Sequence, residues 1–169
     1  IFYLYFYLYF LLIIFICIFY MFLSELKYIT NYKYVSREKI LNLLSQLTTI
    51  YNSDNKEISK TEYTSFLNNI DSNTHIFVLH DEKQLIGMAT MIIERKLTHG
   101  GSNVAHIEDV VIDKNFTGKG HGKKLIELLV ERAKLLKCYK VILNSSQDKI
   151  KFYEKCGFQQ KNVEMSLYL

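Results

Sequence analysis

Between Asn115 and Leu129 the sequence reads NFTGKGHGKKLIELL, with glycines at 118, 120 and 122 and lysines at 119, 123 and 124. A chain with only seven glycines places three of them in this one turn. Glycine at such spacing leaves backbone N–H groups open, and the helix pattern that follows sets them at a helix start, where an anion is favoured. Spacing excludes two familiar phosphate loops. One needs four residues between its glycines and Ser or Thr after the lysine; here three residues separate Gly118 from Gly122, and Lys123 precedes Lys124. The dinucleotide fingerprint needs G-x-G-x-x-G, whereas this turn is G-x-G-x-G. A flexible turn would use the same residues. The position between a strand pattern and a helix pattern favours a nest for a diphosphate.

Just upstream, HIEDVVID carries two acids, Glu108 and Asp109, inside an otherwise apolar strand pattern. Adjacent residues on a strand point to opposite faces, so the pair is not a dyad. Carboxylates in apolar surroundings need partners. Salt-bridged structural acids and a ligand-facing acid are both open at this point.

The elements that must position these groups follow from periodicity. Glu25–Val35 alternates loosely and predicts a first strand, and Ser36 then caps a helix whose apolar positions run to Ile50. A second helix follows a cap at Ser59 or Thr61. Strands are expected at His75–His80, at 85–97 as its hairpin partner, and at Val104–Asp113. The glycine turn opens an amphipathic helix from Gly122 to Lys137, with Leu125, Leu128, Leu129, Ala133 and Leu136 on one face. A strand at 139–144, a short helix ending at Gly157 and a terminal strand pair complete the chain. The order is mixed α/β, a central mixed sheet flanked by helices. The unit from 104 to 144 is βαβ, so its two strands should be parallel.

Composition narrows the partners. The 169 residues suit one domain, expected over 24–169. A net charge of +4 without a concentrated basic stripe argues against nucleic acid. Cys17, Cys138 and Cys156 are scattered and odd in number, which gives no disulfide framework and a reducing, cytoplasmic setting; Cys138 and Cys156 read as small buried hydrophobes. The five histidines show no metal-ligand spacing, and no metal is expected. Residues 1–23 carry no charge and no glycine. As a helix they would span roughly 35 Å. A membrane anchor, a non-native leader upstream of Met21 and a helix of a soluble protein all fit that run. Membrane association is expected only if it is an anchor.

HIEDVVIDKNFTGKGHGKKLIELL, CYKVIL and KFYEKCGF, in that order, resemble the GNAT family of N-acetyltransferases. With IIERK before them and VEM after, the set is similar to those members that acetylate glucosamine 6-phosphate. The resemblance covers roughly residues 26–169. It implies the GNAT acyl-CoA N-acyltransferase fold, acetyl-CoA as cofactor and a homodimer with a shared active site. It also implies transfer of acetyl to the sugar's 2-amino group, a step toward UDP-N-acetylglucosamine. Two alternatives are a GNAT enzyme for another small or protein amine and a non-catalytic acyl-CoA-binding module.

What the resemblance implies for single residues is specific. Val110, Val111 and Ile112 would pair their backbone with the pantetheine arm, and Thr117, Gly118, Lys119, Gly120, His121, Gly122 and Lys123 would cradle the diphosphate. Tyr153 would lie near the thioester sulfur as the acid toward the leaving thiolate, and Glu108 would act as a water-relayed base. Glu108, Asp109 and Val110 would touch the amino sugar; Thr48, Lys96, Leu97, Thr98 and His99 would serve its phosphate, with Tyr139 and Lys140 from the other subunit. Three positions depart from the family pattern. Thr117 stands where Gln or Arg is usual, Asn144 where an acid near the amine is usual, and Tyr168 where an arginine near the phosphate is frequent. Asparagine accepts a hydrogen bond but cannot take a proton.

Overall fold

A computed structural model describes residues 22–30, 33–51, 56–81 and 83–167. Five strands form one sheet in chain order: β1 (Phe22–Glu25), β2 (Thr74–His80), β3 (Leu85–Arg95), β4 (Asn103–Ile112) and β5 (Cys138–Leu143). The first four run antiparallel to their neighbours, and β4 and β5 are parallel. The helices are α1 (Leu26–Ile29), α2 (Arg37–Leu44), α3 (Lys60–Asn68), α4 (His121–Leu135) and α5 (Ile150–Lys155).

Alternation along the strands divides the core in two. Phe77 and Leu79 of β2, Ala89, Met91 and Ile93 of β3, and Ala105 and Ile107 of β4 face one way. There they meet Leu125, Ile126, Leu129 and Ala133 of α4. Ile76, Val78 and Met88 face the other way, against Leu26, Ile29, Ile40 and Leu43 of α1 and α2. The amphipathic stripe expected on the long helix is therefore the face that covers the sheet; Leu128 and Leu136 pack at its margin. Cys138 and Cys156 are half-buried at the same margin. Ser59 caps α3 through a reciprocal box: the Glu62 N–H donates to Ser59 Oγ at 3.2 Å and the Ser59 N–H to the Glu62 carboxylate at 2.8 Å.

Three expectations are corrected. Of the strand expected over 25–35, only Glu25 lies in a strand among the described residues. Leu26 and Ile29 instead bury together at helical spacing, and a 3-10 turn at Lys33–Val35 buries Tyr34 and Val35. Helix α2 stops at Leu44, so Leu47 is exposed and Thr48 lies beyond the helix in a bend. Among the described residues no strand pair closes the chain: 159–167 form no ladder.

Phe22 and Leu23, read with the apolar leader, pair with His80 and Leu79 in the sheet. The rest of that run, residues 1–21, and Cys17 with it, lie outside the described residues. Among the described residues no helix is long and apolar enough to cross a membrane.

Glu25 ties the first strand to the long helix. Its carboxylate lies 3.2 Å from Lys27 Nζ and 3.4 Å from the Arg132 guanidinium of α4. It also lies 3.3 Å from His75 Nδ1, at ion-pair distance without hydrogen-bond geometry. Burial pushes the Glu25 carboxyl up, but Lys27 and His75 outweigh it and hold it below the ordinary range. Its contribution is present above the unfolded carboxylate pKa and is lost as pH falls through the lower folded value. In urea melts, Glu25→Gln should cost about 1–2 kcal/mol at neutral pH. The difference from wild type should shrink below about pH 4.5.

Candidate active site

Strand β4 departs from regular pairing at its centre. Met88 pairs with Val111 and Thr90 with Glu108, so Ala89 stands opposite both Asp109 and Val110. Asp109 is the inserted residue, held at φ +53°. Thr90 Oγ1 donates to its carboxylate at 3.2 Å. The bulge shifts the parity of the strand. Before it, Ala105 and Ile107 face α4; after it, Val110 and Ile112 do, while Val111 joins the opposite core. Glu108 and Asp109 therefore do not simply occupy opposite faces, because strict alternation breaks at the second of them.

Pairing between β4 and β5 ends with Ile107 against Leu143. From Glu108 to Ile112, β4 pairs only with β3, so its β5-facing edge has no strand partner among the described residues. Asn144 follows directly after the last paired residue of β5 and is exposed at the mouth of the gap.

The floor of the gap comes from α4 and α5. Gly118 and Gly120 adopt φ +72° and +83°, a region that disfavours side chains, and a Cβ at either would project into open space. Gly122 differs: a Cβ there would lie 3.2 Å from Phe152 Cζ, so this glycine lets α5 approach the start of α4. Phe152 and Tyr153 pack edge to face at 4.9 Å, and both rest on the α4-side core. Gly157, at φ +92°, ends α5, with the Phe158 N–H donating to the Tyr153 carbonyl at 3.1 Å.

The electrostatics of the gap suit proton transfer. Burial pushes the Glu108 carboxyl up and Asp109 adds to the shift; His106 opposes it and Glu164 reinforces it. Burial also pushes the Tyr153 phenol up, with smaller contributions from Cys156 and Glu108. The Tyr153 phenol thus feels the charge of Glu108 across the gap. At neutral pH the phenol keeps its proton, and the carboxylate is a stronger base than a solvated one.

Other expected site residues fall in two places. Thr117 is extended and donates from Oγ1 to the Lys114 carbonyl at 2.9 Å, and Lys119 turns back to the Asn115 carbonyl at 2.8 Å. His121 meets Phe116 edge-on at 5.9 Å, and Lys123 pairs with Glu127 at 3.8 Å. At the far end of β3, Lys96 binds Glu94, Leu97 is fully exposed, and Thr98 precedes a short 3-10 turn. His99 stacks on Tyr139 at 4.4 Å, with Lys140 Nζ 5.5 Å above that ring. Thr48 lies in the bend after α2, its N–H donating to the Leu44 carbonyl at 3.1 Å. Tyr168 lies outside the described residues. Among the described residues, no group of three or more His, Cys, Asp or Glu side chains could hold a metal.

Sequence reasoning missed Gln46 and Asp113. Gln46 Nε2 donates to the Asp113 carboxylate at 3.2 Å, and Gln46 Oε1 accepts from the Lys114 N–H at 2.9 Å. This clamp joins the end of α2 to the entry of the glycine turn. Only the Asp-Lys-Asn turn signal hinted at half of it.

The profile of the Acetyltransferase (GNAT) family matches residues 40–158. The chain belongs to the GNAT family of acetyltransferases. It is 34% identical over 137 residues to the glucosamine 6-phosphate N-acetyltransferase of Arabidopsis thaliana, covering 78% of this chain and 89% of that one. It is 36% identical over 129 residues to the Candida albicans protein of the same name, covering 74% and 83%. The crystal structure of the Arabidopsis enzyme superposes with a TM-score of 0.71 at 30% identity, covering 89% of this chain and 99% of that one. A Trypanosoma brucei acetyltransferase superposes at 0.74 with 33% identity, covering 89% and 100%. The mixed sheet with its flanking helices is thus the fold expected from the motifs.

The positive φ of Asp109 makes the bulge testable. Asp109→Gly should keep both the bulge and the stability. Asp109→Val should lose about 1–2 kcal/mol in denaturant melts, because a β-branched side chain disfavours that backbone region.

Proposed function

We propose that this acetyltransferase transfers the acetyl group of acetyl-coenzyme A to the 2-amino group of glucosamine 6-phosphate. The observation that carries the reading is the gap between β4 and β5. It is lined by an unpaired strand edge, faced by Glu108 and Tyr153, and floored by glycines with open N–H groups. The names of the Arabidopsis and Candida relatives support the choice of acceptor.

When bound, acetyl-coenzyme A supplies an activated acyl carbon and a sulfur leaving group. The glycine turn fits its diphosphate: open space lies where side chains at 118 and 120 would stand, so backbone N–H groups at the start of α4 can meet the anion directly. The free edge at Val110–Ile112 receives the pantetheine arm as an added strand, which holds the acyl carbon beside the acceptor. Glu108 takes the proton of the sugar ammonium, directly or through one water. The freed amine would then form the C–N bond as the C–S bond breaks; Tyr153 would give its phenolic proton to the departing sulfur, and the second proton shed by the nitrogen would restore the phenol through solvent. Asn144, at the mouth, orients the amine by accepting a hydrogen bond. Asp109 serves the sugar and the bulge together. Lys96, Thr98, His99, Tyr139 and Lys140 supply donors for the phosphate.

The working form is a homodimer whose partners share this site. Val163, Met165 and Leu167 alternate along the C-terminal segment and are 89%, 94% and 85% exposed, a pattern with no packing partner among the described residues. An extended segment with an apolar face is suited to pairing with a second copy.

A thiol-release assay with acetyl-coenzyme A tests the reaction. Turnover should require glucosamine 6-phosphate; turnover with polyamines or peptides in its place would reject the acceptor. Tyr153→Phe and Glu108→Gln should each lower kcat on the order of 10²-fold with acetyl-coenzyme A still bound. In calorimetry, Gly120→Ala should weaken acetyl-coenzyme A binding, because its methyl enters the anion cradle. Sedimentation should give a dimer for the wild type, and Met165→Glu should shift it toward monomer.

A further inference from the structure

The open face of the sheet beside the gap carries a row of charges. On β3, Thr90, Ile92 and Glu94 alternate with the buried Met91 and Ile93 and so look outward. On β4, His106 and Glu108 do the same on either side of Ile107. Ile92 pairs with His106, and His106 with Ile142, so the imidazole stands between two half-exposed isoleucines. His106 Nε2 lies 2.9 Å from Glu94 Oε2, and the other oxygen of that carboxylate holds Lys96 Nζ. Glu108 lies two residues further along the same face. The row therefore runs Lys96, Glu94, His106, Glu108, with alternating sign when the imidazole is protonated. Lys140 of β5 shares this face, Asp109 lies at the bulge, and Glu164 of the C-terminal segment adds a negative field at Glu108.

A carboxylate in contact with an imidazole favours imidazolium, and an imidazolium favours ionisation of the next carboxylate. Burial, Asp109 and Glu164 all act on Glu108 in the opposite sense, and His106 is the group that counters them.

The geometry points to His106 as a positioning residue for the acceptor step: held by Glu94 on the face that Glu108 shares, it favours the carboxylate form of Glu108 that receives the amine's proton. His106 itself exchanges no proton in that step. The inference rests on the reading of Glu108 as the base.

The test is the pH dependence of kcat for the full chain with glucosamine 6-phosphate, in wild type, His106→Gln and His106→Lys. Glutamine keeps a hydrogen bond to Glu94 without the charge, and lysine restores the charge. The sugar's own ionisation is common to all three. The acidic limb of His106→Gln should move to higher pH by on the order of half to one unit. In His106→Lys it should return toward wild type, and KM for acetyl-coenzyme A should hold in both. Circular dichroism and melting temperature show whether each variant is folded, and each folded variant is judged on its own limb. An unmoved limb in His106→Gln, or equal limbs in the Gln and Lys variants, overturns the inference while leaving the function intact. A wild type without turnover on the sugar phosphate overturns the functional reading instead.

Discussion

At Asp109 strand β4 holds one residue more than β3 can pair, and the chain absorbs it by taking a left-handed backbone conformation. A bulge increases local twist and bends its strand. In this sheet the bend lies two residues past Ile107, where pairing between β4 and β5 ends. The resulting gap leaves the β5-facing edge of β4 without a strand partner among the described residues. Unpaired amides are costly in a dry site, so such an edge suits an extended ligand that can complete the ladder.

The same bend settles which side chains meet. It carries Val110 and Ile112 into the core beneath α4 and leaves Glu108 at the rim. Helix α5 then brings Tyr153 to the opposite side of the gap, and it can do so only because Gly122 has no side chain to meet Phe152. Two acidic groups of very different strength face one another, each shifted upward mainly by loss of water. The clamp from Gln46 to Asp113 and Lys114 ties the glycine turn to α2, on the far side of the sheet from α4. Cradle, edge and acid–base pair are thus parts of one packed unit.

Much of this was legible in the linear pattern where local rules agree. The 3.6-residue stripe of α4, the parallel pair around it, the hairpin of β2 and β3 and the cap at Ser59, one of the two positions offered for it, rest on interactions between near neighbours. The misread elements are those in which burial overrode a weak pattern. Leu26 and Ile29 look like alternating strand residues until α1 lays them on Ile76 and Val78. The last turn predicted for α2 is absent, because Gln46 turns away to the glycine loop. The apolar alternation at Val163, Met165 and Leu167 was real, but a strand needs a partner, and the described residues do not offer one.

By itself, then, the amino-acid sequence determined the kinds of chemistry at hand. It placed open amides at a helix start, two acids in an apolar strand, and a phenol in a motif that follows a parallel strand. Those depend on residue type and short spacing, which a linear chain displays directly. Only the tertiary structure decided that Asp109 is a bulge, that β4 outruns β5, and that Glu108 lies within electrostatic reach of both Tyr153 and His106. Register between strands is set by the summed packing of two cores, and no local spacing encodes it.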